Sequence, residues 1–178
     1  MTASLALALP EPEGWQKVGK FDPRSAAIAD EHYSRRTPGS PQFMPPGQTV
    51  ILWRPKAIFG WWRPHPDSGI QAMNGLDGWT CTIFRNEGAG LSSLLIVEAE
   101  QALVATGHGC GPDGLLSYVW VKKVRAKRDP GRCYRRAGWI VHPTKPWSAD
   151  GKKLLLTKPW AMAGRMPAPA TAPREGTP

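Results

Sequence analysis

Residues 79–107 read WTCTIFRNEGAGLSSLLIVEAEQALVATG, and the reading of this stretch decides the fold. WTCTIFR (79–85) is a strand, with Trp79, Cys81 and Ile83 alternating against Thr80, Thr82 and Phe84. The stretch from 90 to 107 reads as a helix. Leu91, Leu94, Leu95, Val97, Ala102 and Leu103 form a wide apolar face, and Gly107 suits a C-terminal stop. Between them lies Arg85-Asn86-Glu87-Gly88-Ala89-Gly90. Glycines let a backbone turn and present successive N–H groups. The first N–H groups of a helix lack internal partners and carry partial positive charge, so such a junction favours an anion. Ser92 and Ser93 add hydroxyls and Arg85 a full charge. A tight turn that merely needs glycine explains the same residues. The junction is neither a Walker loop, since no Gly-Lys-Ser/Thr follows, nor a dinucleotide fingerprint, since the third glycine is absent.

Outward from this unit the elements alternate irregularly. Residues 15–31 predict a strand and a helix capped by Asp22 or Ser25. HYSRRTPGSPQFMPPGQ (32–48), with four prolines and two glycines, is a loop. TVILW (49–53) and KAIFGWW (56–62) predict a hairpin, and 63–78 a loop. GLLSYVWVKKVR (114–125) is a strand, 128–139 a short helix after Pro130, and WIVHPT with KKLLLTKPW a closing strand pair. The order is α/β and mixed, without a doubly wound repeat. One domain is expected over 15–160, between a flexible segment at 1–14 and a disordered Ala/Pro-rich tail at 161–178.

Composition narrows the function classes. The 178 residues suffice for one core, and 23 Lys+Arg against 14 Asp+Glu give +9, which favours a polyanionic partner. Cys81, Cys110 and Cys133 form no CxxC pair, so neither a disulfide framework nor a zinc finger is indicated, and a reducing cytosol fits. No apolar run reaches the roughly 18 residues of a membrane span, and MTASLALALPEPEG lacks the basic leader of a signal peptide. Lys122, Lys123, Arg125, Lys127, Arg128, Arg132, Arg135 and Arg136 are opposed only by Asp129, a candidate phosphate-contacting strip. Arg35, Arg36 and Arg63 extend it. Of the adjacent Trp61 and Trp62, strand parity places at most one in a core, which leaves Trp62 beside Arg63 to stack on a base.

Arg-x-x-Gly-x-Gly after a strand resembles the acyl-CoA pyrophosphate loop of the GNAT (N-acetyltransferase) superfamily. DPGRCYRRAGW (129–139) resembles that superfamily's last helix, with Cys133-Tyr134 in place of its aromatic pair and Ala137-Gly138-Trp139 near its closing Gly-Phe. The resemblance covers about residues 49–157. It implies a mixed, mostly antiparallel, splayed sheet. It also implies an acetyl-CoA or related acyl donor held by Arg85 and the backbone of Glu87, Gly88, Ala89, Gly90 and Ser92, and a leaving thiolate protonated by Tyr134.

A narrower resemblance rests on HYSRR (32–36), the Phe43 loop and this core, which together are similar to the Mom family of phage DNA-modifying proteins. It implies a transferase acting on the exocyclic amine of a base in phage DNA inside an infected bacterial host, where it protects that DNA from restriction. His32, Tyr33 and Tyr134 would surround the amine; Ser92 matches a serine of the donor loop, with Ser93 the alternative. LLSYVW (115–120) resembles a Ser-Tyr-x-Asp strand end, but Trp120 stands where the acid is expected. The family's reported iron would therefore lack its acid, unless Asp129 or Asp113 supplies one. Two other classes fit the same residues: an acetyl-CoA-dependent acetyltransferase for a protein or small-molecule amine, and a non-catalytic nucleic-acid-binding protein with a degenerate donor site. Aminoacyl-tRNA is an alternative donor, and a homodimer is compatible with the sequence.

Overall fold

The computed structural model describes residues 14–124 and 129–167. Its centre is a seven-stranded, open, mostly antiparallel sheet, ordered β1-β2-β3-β4-β5-β7-β6. The strands are β1 (Gln16–Val18), β2 (Gln48–Arg54), β3 (Ala57–Arg63), β4 (Trp79–Asn86), β5 (Leu115–Trp120), β6 (Ile140–Val141) and β7 (Lys153–Lys158). The helices are α1 (Pro23–Asp30), α2 (Ser92–Ala105) and α3 (Arg132–Arg136), so the chain is α/β. Asp22 caps α1, its carboxylate accepting from the Ser25 amide at 2.9 Å. Among the described residues no helix is long and apolar enough to cross a membrane.

Both faces of the sheet are covered. On one, α2 and α3 pack over Val50, Phe59, Trp61, Trp79, Cys81, Leu115, Val119 and Leu156. On the other, α1 and the 32–47 loop cover Ile51, Ile58, Trp62 and Ile83, while Leu76 covers Leu116 and Leu155. Strand parity therefore does not release either tryptophan. Trp61 donates its indole N–H to the Ala99 carbonyl at 3.1 Å, and Trp62 donates to Pro46 at 2.9 Å on the opposite face. Trp62 is only 9 % exposed, which corrects the expectation of a free stacking surface. The helix α2 differs from its sequence reading as well. It starts at Ser92, and its buried side is Leu95, Ile96, Val97, Ala99, Glu100 and Leu103, whereas Leu91 and Leu94 are exposed.

Two irregularities set the geometry of the sheet's middle. Along β3 and β4, Gly60 pairs with Ile83 and Trp61 with Cys81, so Thr82 has no partner and forms a β-bulge. Gly60 is required there, since a Cβ would come within 2.7 Å of both Ile83 Cγ2 and Met44 Sδ. Beyond it, β4 and β5 are the sheet's parallel pair. They pair only at Trp79↔Leu115, Thr80↔Leu116 and Cys81↔Ser117, although both strands continue for several residues. The sheet thus forks at its centre.

The start of the Ala/Pro-rich tail, expected to be loose from residue 161, is held down. Gly164 donates its amide to Glu100 Oε2 at 2.7 Å, and the Arg165 carbonyl accepts from Lys158 Nζ at 2.8 Å.

Candidate active site

The fork holds a cavity of about 140 Å³. Its walls are Cys81 to Phe84 from β4, Ser117 to Val119 from β5, Gly131, Cys133 and Tyr134 around α3, and His32 and Tyr33 from the loop after α1. Three residues scattered over a hundred positions of sequence, His32, Tyr33 and Tyr134, therefore meet in one place. The His32 and Tyr33 rings lie 4.2 Å apart between centroids.

His32 is held by Ser34. Its Nδ1 accepts the Ser34 amide at 3.2 Å and lies 2.7 Å from the Ser34 hydroxyl. That arrangement makes Nδ1 the unprotonated nitrogen. Burial first, then the Arg85 guanidinium, bring the imidazole pKa down to about 4, against a backbone contact with Phe84 that raises it. The ring is therefore neutral at physiological pH and able to take a proton.

Tyr134 is 6 % exposed, and its hydroxyl lies 3.2 Å from Cys81 Sγ. Burial holds the phenol well above its usual range and pushes the Cys81 thiol up to about 12. Both stay protonated near neutrality, so Tyr134 is a neutral phenol and Cys81 carries no thiolate.

At the glycine junction the structure redistributes the expected roles. Asn86, which the sequence reading passed over, organises the loop. Its Oδ1 accepts the amides of Gly88 and Ala89 at 3.1 and 2.8 Å, and its Nδ2 donates to the Gly90 carbonyl and Ser92 Oγ at 2.8 and 3.0 Å. Glu87 donates its amide to Lys56 at 2.7 Å. Three of the amides expected to cradle a pyrophosphate are thus satisfied within the protein. The start of α2 remains, because its N-cap, Leu91, provides no side-chain cap. Ser92 Oγ accepts from the Asn86 side chain in the loop, whereas Ser93 is buried at 4 % exposure. The Asn-x-Gly-x-Gly run of residues 86–90 is a turn signal available in sequence.

Arg85 lies on the other side of the sheet from α2. It donates to the Glu31 carbonyl at 2.6 Å and to Glu87 Oε1 at 2.7 Å, bracing the end of α1 beside His32. It is a support of the histidine loop, contrary to the expectation of a phosphate clamp.

The basic residues divide similarly. Arg35, with a side chain 6 % exposed, is bound to Asp30 at 2.6 Å and to the carbonyls of Gln42 and Ser40, so it staples the proline-rich loop. Arg63 pairs with Asp77 at 2.7 Å. Arg36, Lys122, Lys123 and Arg132 are exposed. Arg125, Lys127 and Arg128 lie outside the described residues.

Iron does not fit the donor set. Among the described residues no three His, Cys, Asp or Glu side chains gather as a metal site. The two acids that could replace the missing one are committed elsewhere: Asp113 accepts the Asp77 amide at 2.7 Å, and Asp129 pairs with Arg135. No family model, curated protein or solved structure matches this chain.

Proposed function

We propose that this chain is a GNAT-like transferase that modifies the exocyclic amine of a base in DNA, as the Mom-like motifs imply. The observation that carries the reading is the fork: parallel strands that part after three pairs, beside a bulge, around a cavity shared by His32, Tyr33 and Tyr134. A group-transfer enzyme has to bring two ligands to one point, and a split sheet is open to both faces. The uncapped start of α2 lies on one face, and the His32 loop on the other. An acyl-CoA donor bound on the α2 side would supply a thioester to the fork.

The amine nitrogen attacks the thioester carbonyl; its N–C bond forms as the C–S bond breaks. The proton lost by the amine is taken up by neutral His32, which lines the cavity. The departing thiolate takes the phenolic proton of Tyr134. The cavity, smaller than the roughly 300 Å³ of ordinary ligand pockets, admits the transferred group and the edge of a base. The rest of the base remains between the 32–47 loop and β5, so it must leave its stack to react.

That small volume also favours a second reading, acetylation of a protein or small-molecule amine. Nucleoside mass spectrometry of DNA from cells expressing the wild type or His32→Ala separates the two. A modified nucleoside in the wild type alone is the expected result. An unchanged profile in both, with acetyl-CoA hydrolysis or transfer to amines still measurable, refutes the DNA reading.

A further inference from the structure

Arg85 follows Phe84, a wall of the cavity, and its guanidinium reaches across to the end of α1. There Nη1 donates to the carbonyl of Glu31, the C-cap, at 2.6 Å, where a helix leaves its carbonyls without internal partners. Nε donates to Glu87 Oε1 at 2.7 Å, which fixes the plane of the guanidinium. The residue after Glu31 is His32. The chain turns there at once: the Arg35 amide donates to the His32 carbonyl at 2.9 Å, and the Arg35 side chain ties the turn back to Asp30 at 2.6 Å. His32 and Tyr33 thus sit between two arginine anchors, of which Arg85 comes from a strand that walls the cavity. The other titratable groups around the imidazole are paired, neutral or exposed. Asp30 is bound to Arg35, and Glu87 to Arg85. Burial keeps Tyr33 and, across the cavity, Cys81, Cys133 and Tyr134 protonated near neutrality. Glu31 and Arg36 are exposed.

We propose that Arg85 is the positioning residue for His32: its grip on the Glu31 carbonyl holds the imidazole at the cavity wall. This rests on the reading of the fork as a transferase site that uses His32 as its base. The guanidinium also places a fixed positive charge near the ring, which disfavours imidazolium and keeps the base free to accept a proton. A donor clamp would act on donor affinity, whereas a positioning residue acts on turnover.

The test joins a proton NMR titration of the His32 ring, assigned with His32→Gln, to transfer assays with acetyl-CoA and a single-stranded DNA oligonucleotide. In wild type the ring should titrate near 4. Arg85→Met should raise that value toward the ordinary 6.5 and carry the acid limb of the pH–rate profile up with it, because a cation that opposes protonation is gone. Glu87→Gln should not raise it, because that change removes an anion; mere loosening of the loop would raise both. Arg85→Met should also lower kcat about 10- to 100-fold with the KM for acetyl-CoA unchanged. Arg85→Lys, which keeps the charge without the planar fork, should keep the low pKa and recover part of kcat. A His32 titration in Arg85→Met within about 0.3 of the wild-type value overturns the proposal and leaves the transferase reading standing. A raised KM at unchanged kcat also overturns it and makes Arg85 a donor clamp. No transfer by wild type to DNA or to a small-molecule amine overturns the transferase reading and the proposal with it. Should Arg85→Met lower the melting temperature by more than about 5 °C, Arg85→Gln, which keeps a donor without the charge, decides, and an unchanged His32 titration in it overturns the proposal.

Discussion

Replacing Lys158 with methionine tests what fixes the helix that carries Tyr134. Lys158 is 1 % exposed and uses all three ammonium N–H groups: on Glu100 Oε2 at 2.7 Å, on the Ala137 carbonyl at 2.7 Å and on the Arg165 carbonyl at 2.8 Å. Glu100, fully buried on α2, also accepts the Trp139 indole N–H at 2.6 Å and the Gly164 amide. The network thus joins α2, the end of α3, β7 and the C-terminal segment. Methionine nearly matches the lysine stem but leaves the carboxylate without its counter-ion and two carbonyls without donors. Breaking one side of a buried pair costs about 3–5 kcal/mol. At about 2–4 °C per kcal/mol for a chain of this size, the melting temperature should fall by about 6–20 °C. The pH dependence follows from Glu100. Burial already holds its carboxyl above the usual range, and removing Lys158 raises it further. The folded variant then keeps a proton that the unfolded chain releases, so its stability falls as pH rises above the ordinary glutamate value. Thermal melts followed by circular dichroism should show a small deficit near pH 5 and the largest near pH 8. Adding Glu100→Gln, which removes the buried charge, should recover part of the loss. A deficit under about 2 °C at pH 8, or one that widens toward acid, would refute the reasoning.

His32 titrates in the opposite sense. Its folded pKa of about 4 lies below its ordinary 6.5, so the unfolded chain binds the proton first, and stability is lost as pH falls through that window. The melting temperature of wild type should drop more steeply between pH 6.5 and 4 than that of His32→Gln; parallel curves would mean that the ring is not held neutral. Trp62→Ala should cost about 3–5 kcal/mol in denaturant titrations and, under the DNA-modification reading, leave DNA affinity unchanged in the folded protein. The converse, full stability with weakened binding, would return Trp62 to the interface. Tyr134→Phe should stay within about 1 kcal/mol of wild type, because its hydroxyl has one weak thiol partner. Under the transferase reading it should slow turnover by about a hundredfold or more, with donor affinity unchanged by calorimetry; full turnover would remove Tyr134 from the chemistry.

Local patterns gave the framework, because local chemistry dictates it. The 48–63 hairpin follows from two apolar β-branched and aromatic runs around Pro55-Lys56, and α1 from Asp22 before Pro23. The strand–loop–helix unit around Gly88 and Gly90 is equally local. The convergence of His32, Tyr33 and Tyr134 was legible only through resemblance, since nothing in spacing brings residue 32 to residue 134. What sequence hid were the roles of polar side chains. Arg35 and Arg36 look alike in HYSRR, yet Arg35 is consumed by Asp30 and two loop carbonyls while Arg36 is exposed. A charge count cannot separate a staple from a free cation, because the difference lies in which carbonyls the loop happens to bring near.

The misplacement of Arg85 has a sharper cause. Strict alternation from Trp79 puts 79, 81, 83 and 85 on one face, toward α2, where an arginine would meet a donor phosphate. The bulge at Thr82 inserts one residue, and a single insertion reverses the facing of everything after it. Ile83 therefore packs with Met44 and Trp62, Phe84 turns to Tyr134, and Arg85 emerges beside Glu31 and His32. The same reversal hands the α2 face to Asn86, which then shapes the glycine loop. The bulge also lies where β4 leaves β5, so the irregularity that defeats the alternation rule sits at the opening of the cavity. Its one trace in the sequence is Gly60, a glycine inside an apolar strand, where a Cβ would lie 2.7 Å from Ile83 Cγ2 and Met44 Sδ.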